Sequence, residues 1–229
     1  MAKLMYRNCE DLNIIEIGID EAGRGPLLGR VYSAAVILPH DKNDFNYALL
    51  KDSKKFSSEK KIKEVSEYIK ANAVSWSICY ETEEEIDKIN IREATLKSMH
   101  SNIDNILNKI NKESNLITEN IMLMIDGCDF KPYLYIDNTN ELSYKPISHI
   151  CVEKGDNKYC NIAAASILAK VARDEYIKEL CQEYPSLIDK YDILNNKGYG
   201  TKKHMEGINT HGITAFHRKT YGICKKYAY

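Results

Sequence analysis

Along the chain, short β-branched apolar runs alternate with longer stretches in which apolar residues return every three or four positions. This is the pattern of strands interleaved with amphipathic helices. Residues 14–20 (IIEIGID) and 31–38 (VYSAAVIL) predict two strands, separated by a glycine-rich turn at 22–25 and stopped by Pro39, which together predict a hairpin. After a polar connection at 51–56, residues 57–71 carry Ile62, Val65 and Ile69 at helical spacing behind a serine cap. A third strand is expected over 74–80. Thr82 and Glu85 then have the spacing of a capping box, and the apolar period of 91–110 predicts a long amphipathic helix. The run IMLMI (121–125) ends at Asp126-Gly127 and reads as a central strand buried on both faces. Residues 147–152 predict a further strand, and 161–180 a helix whose small-residue start (AAAS) lets it lie close to the sheet. A hairpin followed by strands mixed with helices predicts one α/β domain with a mixed sheet over residues 1–229.

Composition excludes several classes. A chain of 229 residues, 44% of them hydrophobic, can hold a core without disulfides or structural metal. Its seven cysteines are irregularly spaced with no C-x-x-C, so reduced thiols are expected. No window approaches 18 consecutive apolar residues and the N-terminus lacks a secretory pattern, which predicts a cytoplasmic protein without membrane association. The net charge of -1 conceals local asymmetry. Residues 197–229 hold seven Lys/Arg against the single acid Glu206, interleaved with Tyr199, Phe216, Tyr221, Tyr227 and Tyr229. Residues 51–63 hold six lysines against Asp52 and Glu59. Such segments suit a polyanion whose backbone is held by charge and whose sugars or bases meet a ring face, although solvated helix faces and core tyrosines give the same pattern.

Four acids stand where an acid is locally awkward. Asp20 and Glu21 close the first strand, Asp126 closes IMLMI, and Asp156 follows Lys154-Gly155 beyond the strand ending near Val152. Each alone fits an ordinary turn. Brought around one point they would raise one another's pKa, a conflict that a divalent cation removes. All-oxygen donors favour Mg²⁺ or Mn²⁺ over Zn²⁺. His204, His211 and His217 lack an i, i+4 zinc spacing and read as surface or hydrogen-bonded core residues. The stretch GIDEAGRGPLLG (18–29) fails as a phosphate loop, because Gly23 is followed by Arg24-Gly25 and not by Lys-Ser/Thr. It also fails as a dinucleotide fingerprint, because Leu28 stands where a glycine is needed. What remains is a tight turn with approachable backbone and a guanidinium at its centre.

That stretch resembles the opening signature of the type 2 ribonucleases H, the ribonuclease HII family. Further blocks are similar and occur in the family's order: DSKKFS (52–57), MIDG (124–127), KGD (154–156) with AAASILAKVARD (163–174), and KGYGT (197–201) with HRK (217–219). The resemblance implies an RNase H-like fold, a mixed five-stranded sheet flanked by helices. It also implies a basic helical C-terminal segment, about residues 185–229, contributing to the substrate groove. It makes Asp20, Glu21, Asp126 and Asp156 the catalytic and metal-holding carboxylates for two Mg²⁺ or Mn²⁺ ions. The implied activity is hydrolysis of the RNA strand of RNA/DNA hybrids and incision 5′ of single ribonucleotides in duplex DNA, leaving 5′-phosphate and 3′-hydroxyl ends. Gly23, Arg24 and Gly25 match the element that reads the 2′-hydroxyl, and Tyr199 matches the tyrosine that stacks on the neighbouring deoxyribose. Lys54, Lys55, Lys170 and Arg173 are assigned to backbone phosphates or to structure. Asp174, four residues after Lys170, ranks below Asp156 as a ligand because the two can simply pair.

The sequence departs from the family at Arg30, where proline is expected, at Phe56, where leucine is usual, and in the long step from Asp126 to Asp156, which predicts a lengthened loop or hairpin around residues 133–144. The expected partners are RNA/DNA hybrid and ribonucleotide-containing duplex DNA. A monomer is expected, and the C-terminal CKKYAY shows no evident sliding-clamp peptide. Three alternatives stand: a type 3 ribonuclease H, disfavoured by Arg24 and the short N-terminal stretch; a non-catalytic hybrid-binding module; and a DNA nuclease on the same fold.

Overall fold

The computed structural model describes residues 4–41, 43–113, 120–137 and 143–228. Strands β1 (Ile15–Ala22), β2 (Val31–Ile37) and β3 (Ser75–Glu81) form an antiparallel meander. β4 (Ile121–Asp126) joins the other edge of β1 in parallel. The long step after Asp126 folds into a separate two-stranded sheet, β5 (Leu134–Asp137) with β6 (Ser143–Pro146), whose connecting residues lie outside those described. β7 (Ser148–Val152) then returns in parallel beside β4 and completes a five-stranded mixed sheet of order β3-β2-β1-β4-β7. Wherever the β-branched runs predicted strands, strands form.

Helices cover both faces. α1 (Glu59–Asn72) is capped by the side chain of Ser58, which accepts the Lys61 N–H. α2 (Glu83–Glu113) begins earlier than its apolar period predicts. The reason is a second cap within it: Asn90, at φ 69°, interrupts the helix, and its Oδ1 accepts the N–H groups of Arg92 and Glu93. Thr82 does accept the Glu85 N–H, but the Glu85 side chain pairs with Lys97 instead of closing the box. α3 (Cys160–Glu183) is followed by α4 (Ser186–Tyr191), α5 (Ile193–Asn196), α6 (Lys202–His211) and a 3-10 turn at Gly222–Tyr227, so the expected helical C-terminal segment is short helices joined by irregular chain. Among the described residues no helix is long and apolar enough to cross a membrane.

The period-two alternation of the central strands divides the core. Ile17, Ile19, Leu123 and Ile125 pack against Met99, Ile103 and Ile106 of α2. On the opposite face, Ala34 and Val36 pack with Ile62 and Ile69 of α1 and with Ala163, Ala164 and Ile167 of α3. A third cluster joins the C-terminal half of α3 to α4 and α6 through Ile177, Leu180, Leu187, Tyr191 and Ile208. The approach of α3 to β1 rests on one missing side chain, since any Cβ on Gly18 would overlap the Asn161 backbone. That close seat carries the acid-bearing strand end and the helix side chains beneath it in fixed register.

Candidate active site

Register brings the first acids together. β1 and β4 are parallel with Ile19 opposite Ile125, so Asp20 and Asp126 are the next residues on adjacent strands. Both follow by two positions residues that face α3: Gly18, seated on Asn161, and Met124, whose sulfur meets the Asn161 amide. Asp20 and Asp126 therefore share that face at the C-terminal strand ends. Along α3, Ser166 lies five residues beyond Asn161, about 7.5 Å at helical rise, against about 6.6 Å from Gly18 to Asp20 in a strand. The matching advance puts Ser166 under Asp20, where its hydroxyl hydrogen-bonds the carboxylate. Ser53 meets Ser166 at 3.0 Å and ties the 52–57 block to this point.

Asp156 arrives from a 3-10 turn, Gly155–Asn157, entered through Lys154 in the left-handed conformation. The Gly155 N–H donates to Asp126 Oδ1 at 2.6 Å, so the turn that carries one acid orients another. Asp156 itself is buried and accepts from the Asn157 amide, which also reaches Asp52.

All nine expected site residues line one cleft of about 540 Å³: Asp20, Glu21, Gly23, Arg24, Gly25, Lys54, Asp126, Asp156 and Tyr199. The same cleft is also lined by Ser53, Ser166, Lys170, Arg173 and the segment Asn195-Asn196-Lys197. Asp174 is not among its lining residues and forms the pair with Lys170 that its spacing predicts. Arg173 is buried, packs beneath Gly23 and donates to the Lys197 carbonyl at 2.7 Å. Gly23 has φ 94° and no room for a Cβ, which explains a glycine there on both counts. Lys55 is drawn to Asn157 and Asp52.

Electrostatics follow from crowding. Burial, then the charges of Glu21 and Asp126, hold the Asp20 carboxyl well above the ordinary range, against hydrogen bonds from Ser166 and the Glu21 N–H. Burial likewise raises Glu21, opposed by Arg24 at 3.3 Å. Burial raises Asp126, opposed by the Gly155 N–H, and the Asp156 charge adds to the rise. Among the described residues no three Asp, Glu, His or Cys side chains already surround one point as an ion cage. The four acids share a cleft. The donor set is hard oxygen throughout, with excess negative charge, which suits Mg²⁺ or Mn²⁺ and not zinc.

This arrangement makes a stability prediction. Unfolded, Asp20 ionises in the usual carboxylate range; folded, it ionises at higher pH. Folding stability of the metal-free protein therefore falls as pH rises between those two values, and the penalty persists above them. Asp20→Asn keeps an oxygen for the Glu21 N–H and removes the charge. At pH 7 without divalent ions it should melt above the wild type, by about 2–4 °C for each kcal/mol recovered. Thermal denaturation checks this, and a lower melting temperature would contradict the electrostatic reading.

The sequence blocks pointed to the acids but missed Ser53 and Ser166, although both lie inside them. A serine among alanines on a helix signals close packing before it signals a hydrogen bond to a carboxylate.

A mixed sheet in the order β3-β2-β1-β4-β7, covered on both faces and carrying acids at the ends of its two central strands, defines the ribonuclease H-like class. The family described as Ribonuclease HII matches residues 17–224. A Ribonuclease HII of Parabacteroides distasonis is 46% identical over 209 residues, which cover 91% of this chain and 90% of that one. The chain belongs to the ribonuclease HII family, and its activity is that of a ribonuclease H. The fold recurs in the ribonuclease H2 from Pyrococcus horikoshii OT3, with TM-score 0.67 at 21% identity and coverage of 94% of this chain and 97% of that one. It recurs also in Bst-RNase HIII, solved in complex with Mn2+, with TM-score 0.63 at 18% identity and coverage of 94% and 69%.

Proposed function

We propose that this protein hydrolyses the RNA strand of RNA/DNA hybrids and incises duplex DNA on the 5′ side of a single embedded ribonucleotide, leaving 5′-phosphate and 3′-hydroxyl ends. The observation that carries the reading is that the four acids open onto the same cleft as the Gly23-Arg24-Gly25 turn and the half-exposed ring of Tyr199. A charge-dense centre thus adjoins a surface of backbone and aromatic face suited to one sugar.

Asp20, Glu21, Asp126 and Asp156 are the groups that would hold Mg²⁺ or Mn²⁺; bound there, two such ions would supply an activated water and stabilise the departing 3′ oxygen. The complex of Bst-RNase HIII with Mn2+ supports that choice of ion. The chain's own groups orient the acids: Ser166 and the Glu21 N–H hold Asp20, and the Gly155 N–H holds Asp126. Lys54 lies close enough to Asp126 to oppose its rise in pKa and is placed to meet a backbone phosphate. The turn reads the 2′-hydroxyl, the feature that separates RNA from DNA, and Tyr199 stacks on the adjoining deoxyribose. Asn195, Asn196, Lys197 and Tyr199 line the cleft, so the stretch from Asn195 to Tyr199 supplies part of its wall.

Three duplexes incubated with Mg²⁺ test this: all-DNA, DNA with one ribonucleotide, and a continuous RNA/DNA hybrid. The second and third are expected to be cut, the second once, with a 3′-hydroxyl upstream of the ribonucleotide. Cutting of the all-DNA duplex would indicate a DNA nuclease, and binding without cutting a hybrid-binding module.

A further inference from the structure

The block HRK at 217–219 is absorbed by neither the acids nor the cleft lining, yet two of its side chains are among the most buried polar groups in the protein. His217 is 1% exposed and Arg218 0%. They grip the two sides of the ribose-reading surface separately.

Among the described residues Arg218 has no carboxylate as a hydrogen-bond partner. Its guanidinium donates to three carbonyls: Nε to Gly29 at 2.8 Å, and the two terminal nitrogens to Arg24 at 2.9 Å and Gly23 at 2.6 Å. A planar fork of fixed donors thus sets the orientation of the peptides on either side of Arg24. The Tyr221 hydroxyl adds a second bond to the Arg24 carbonyl.

His217 works in the other direction. Its Nδ1 accepts the Thr214 N–H at 2.9 Å, so the ring's own proton sits on Nε2. That nitrogen lies 3.1 Å from Nε2 of His204, which must accept, leaving the His204 proton on Nδ1 to donate to the Tyr199 carbonyl at 2.9 Å. One backbone N–H fixes the proton order of the whole chain, and both rings must be neutral for it to exist. Burial pushes His217 down to about 3 and lowers His204 as well, so the neutral chain persists through the working pH range.

The backbones are laced in the same sense. Gly29 donates to Phe216, Arg218 to Leu27, and Leu27 to Gly198, just before Tyr199. A Cβ on Gly25 would stand 3.6 Å from the Tyr199 ring, in ordinary van der Waals contact, so the two sides lie about one carbon atom apart.

We propose that His217 and Arg218 are positioning residues that set the spacing between the Gly23-Arg24-Gly25 backbone and the Tyr199 ring, and with it the discrimination of a ribonucleotide next to a deoxyribonucleotide. The inference rests on the assignment of those two elements to ribose recognition made above. Neither side chain touches substrate; both act through carbonyl groups that do not themselves distinguish sequences.

The test compares kcat/KM on the one-ribonucleotide duplex with kcat/KM on the continuous hybrid, for the wild type, His217→Gln, Arg218→Lys and Tyr199→Ala. Arg218→Lys and His217→Gln are each expected to lower the ratio about tenfold, the scale of a sub-ångström loss of alignment, with KM for the single-ribonucleotide duplex rising and the hybrid rate falling far less. A purely structural role would lower both rates together and leave the ratio unmoved, overturning the proposal. If Tyr199→Ala leaves the ratio unchanged, the ribose-reading assignment itself fails; if only Tyr199→Ala lowers it, the assignment stands and the positioning role falls. Imidazole ¹⁵N spectra of the wild-type protein at pH 6 need no variant. They are expected to show neutral His217 protonated on Nε2 and neutral His204 on Nδ1, and a charged ring or the reverse order would overturn the histidine arm.

Discussion

Asp126→Asn is expected to lower cleavage of an RNA/DNA hybrid by about 10²- to 10³-fold, the loss that follows removal of one preorganised electrostatic element from an active site. The substitution retains an oxygen to accept the Gly155 N–H, so the turn carrying Asp156 should stay in place. Circular dichroism and hybrid binding should therefore match the wild type closely while turnover falls. The charge removed is one that burial disfavours in the folded chain, so the variant should be no less stable in the absence of divalent ions. Loss of fold together with loss of activity would make Asp126 a structural residue and would remove the parallel strand end from the proposed chemistry.

Tyr199→Ala should act on selectivity. The ring is half exposed, lies 5.7 Å from the Arg173 guanidinium, and borders the turn through Gly25. Deleting a stacking ring costs about 1–3 kcal/mol, so kcat/KM on the one-ribonucleotide duplex should fall about 5- to 160-fold. The continuous hybrid presents no deoxyribose beside the cut ribonucleotide on the same strand and should lose much less. Equal losses on the two substrates would assign Tyr199 to general phosphate-groove packing instead.

Much of this was legible in the chain because the strands are simple. IIEIGID and IMLMI announce two strands, the second buried on both faces, and the acids that end them are conspicuous because nothing in strand packing calls for them; that the two lie side by side in parallel came only with the register. The helix at 57–71 was legible for the opposite reason, a single apolar stripe behind a capping serine. α3 hid its geometry: buried against the sheet on one side and against α1 or α4 on the others, it is apolar around most of its circumference, so periodicity could not say which side met β1. The seat of Asn161 on Gly18, and hence the place of Ser166 under Asp20, became visible only with the strand register. The break at Asn90 was equally silent, because one asparagine in a helical period reads as a surface residue until its carbonyl is seen capping the next turn.

The histidines show a different limit. His204 and His217 lie 13 residues apart and lack any ligand spacing, and the expectation of hydrogen-bonded core residues holds for both. Their contact depends on α6 and the final irregular segment folding back on one another, which no local pattern encodes. The long step after Asp126 was legible as an insertion by length alone. That its strands leave Leu134, Ile136 and Tyr144 exposed was not, since their alternation matches that of a half-buried strand.

The central claim, that carboxylates from three distant segments form one divalent-cation centre, is tested most directly by titrating Mn²⁺ into the wild type, Asp20→Asn, Glu21→Gln, Asp126→Asn and Asp156→Asn and following binding by electron paramagnetic resonance with a non-cleavable hybrid present. Wild-type binding is expected, with each single variant weakened by at least about tenfold, the lower end of what loss of a supporting or ligating group costs a metal site. Undiminished Mn²⁺ binding in Asp126→Asn or Asp156→Asn would contradict the account, because the acids would then not meet at the same ions.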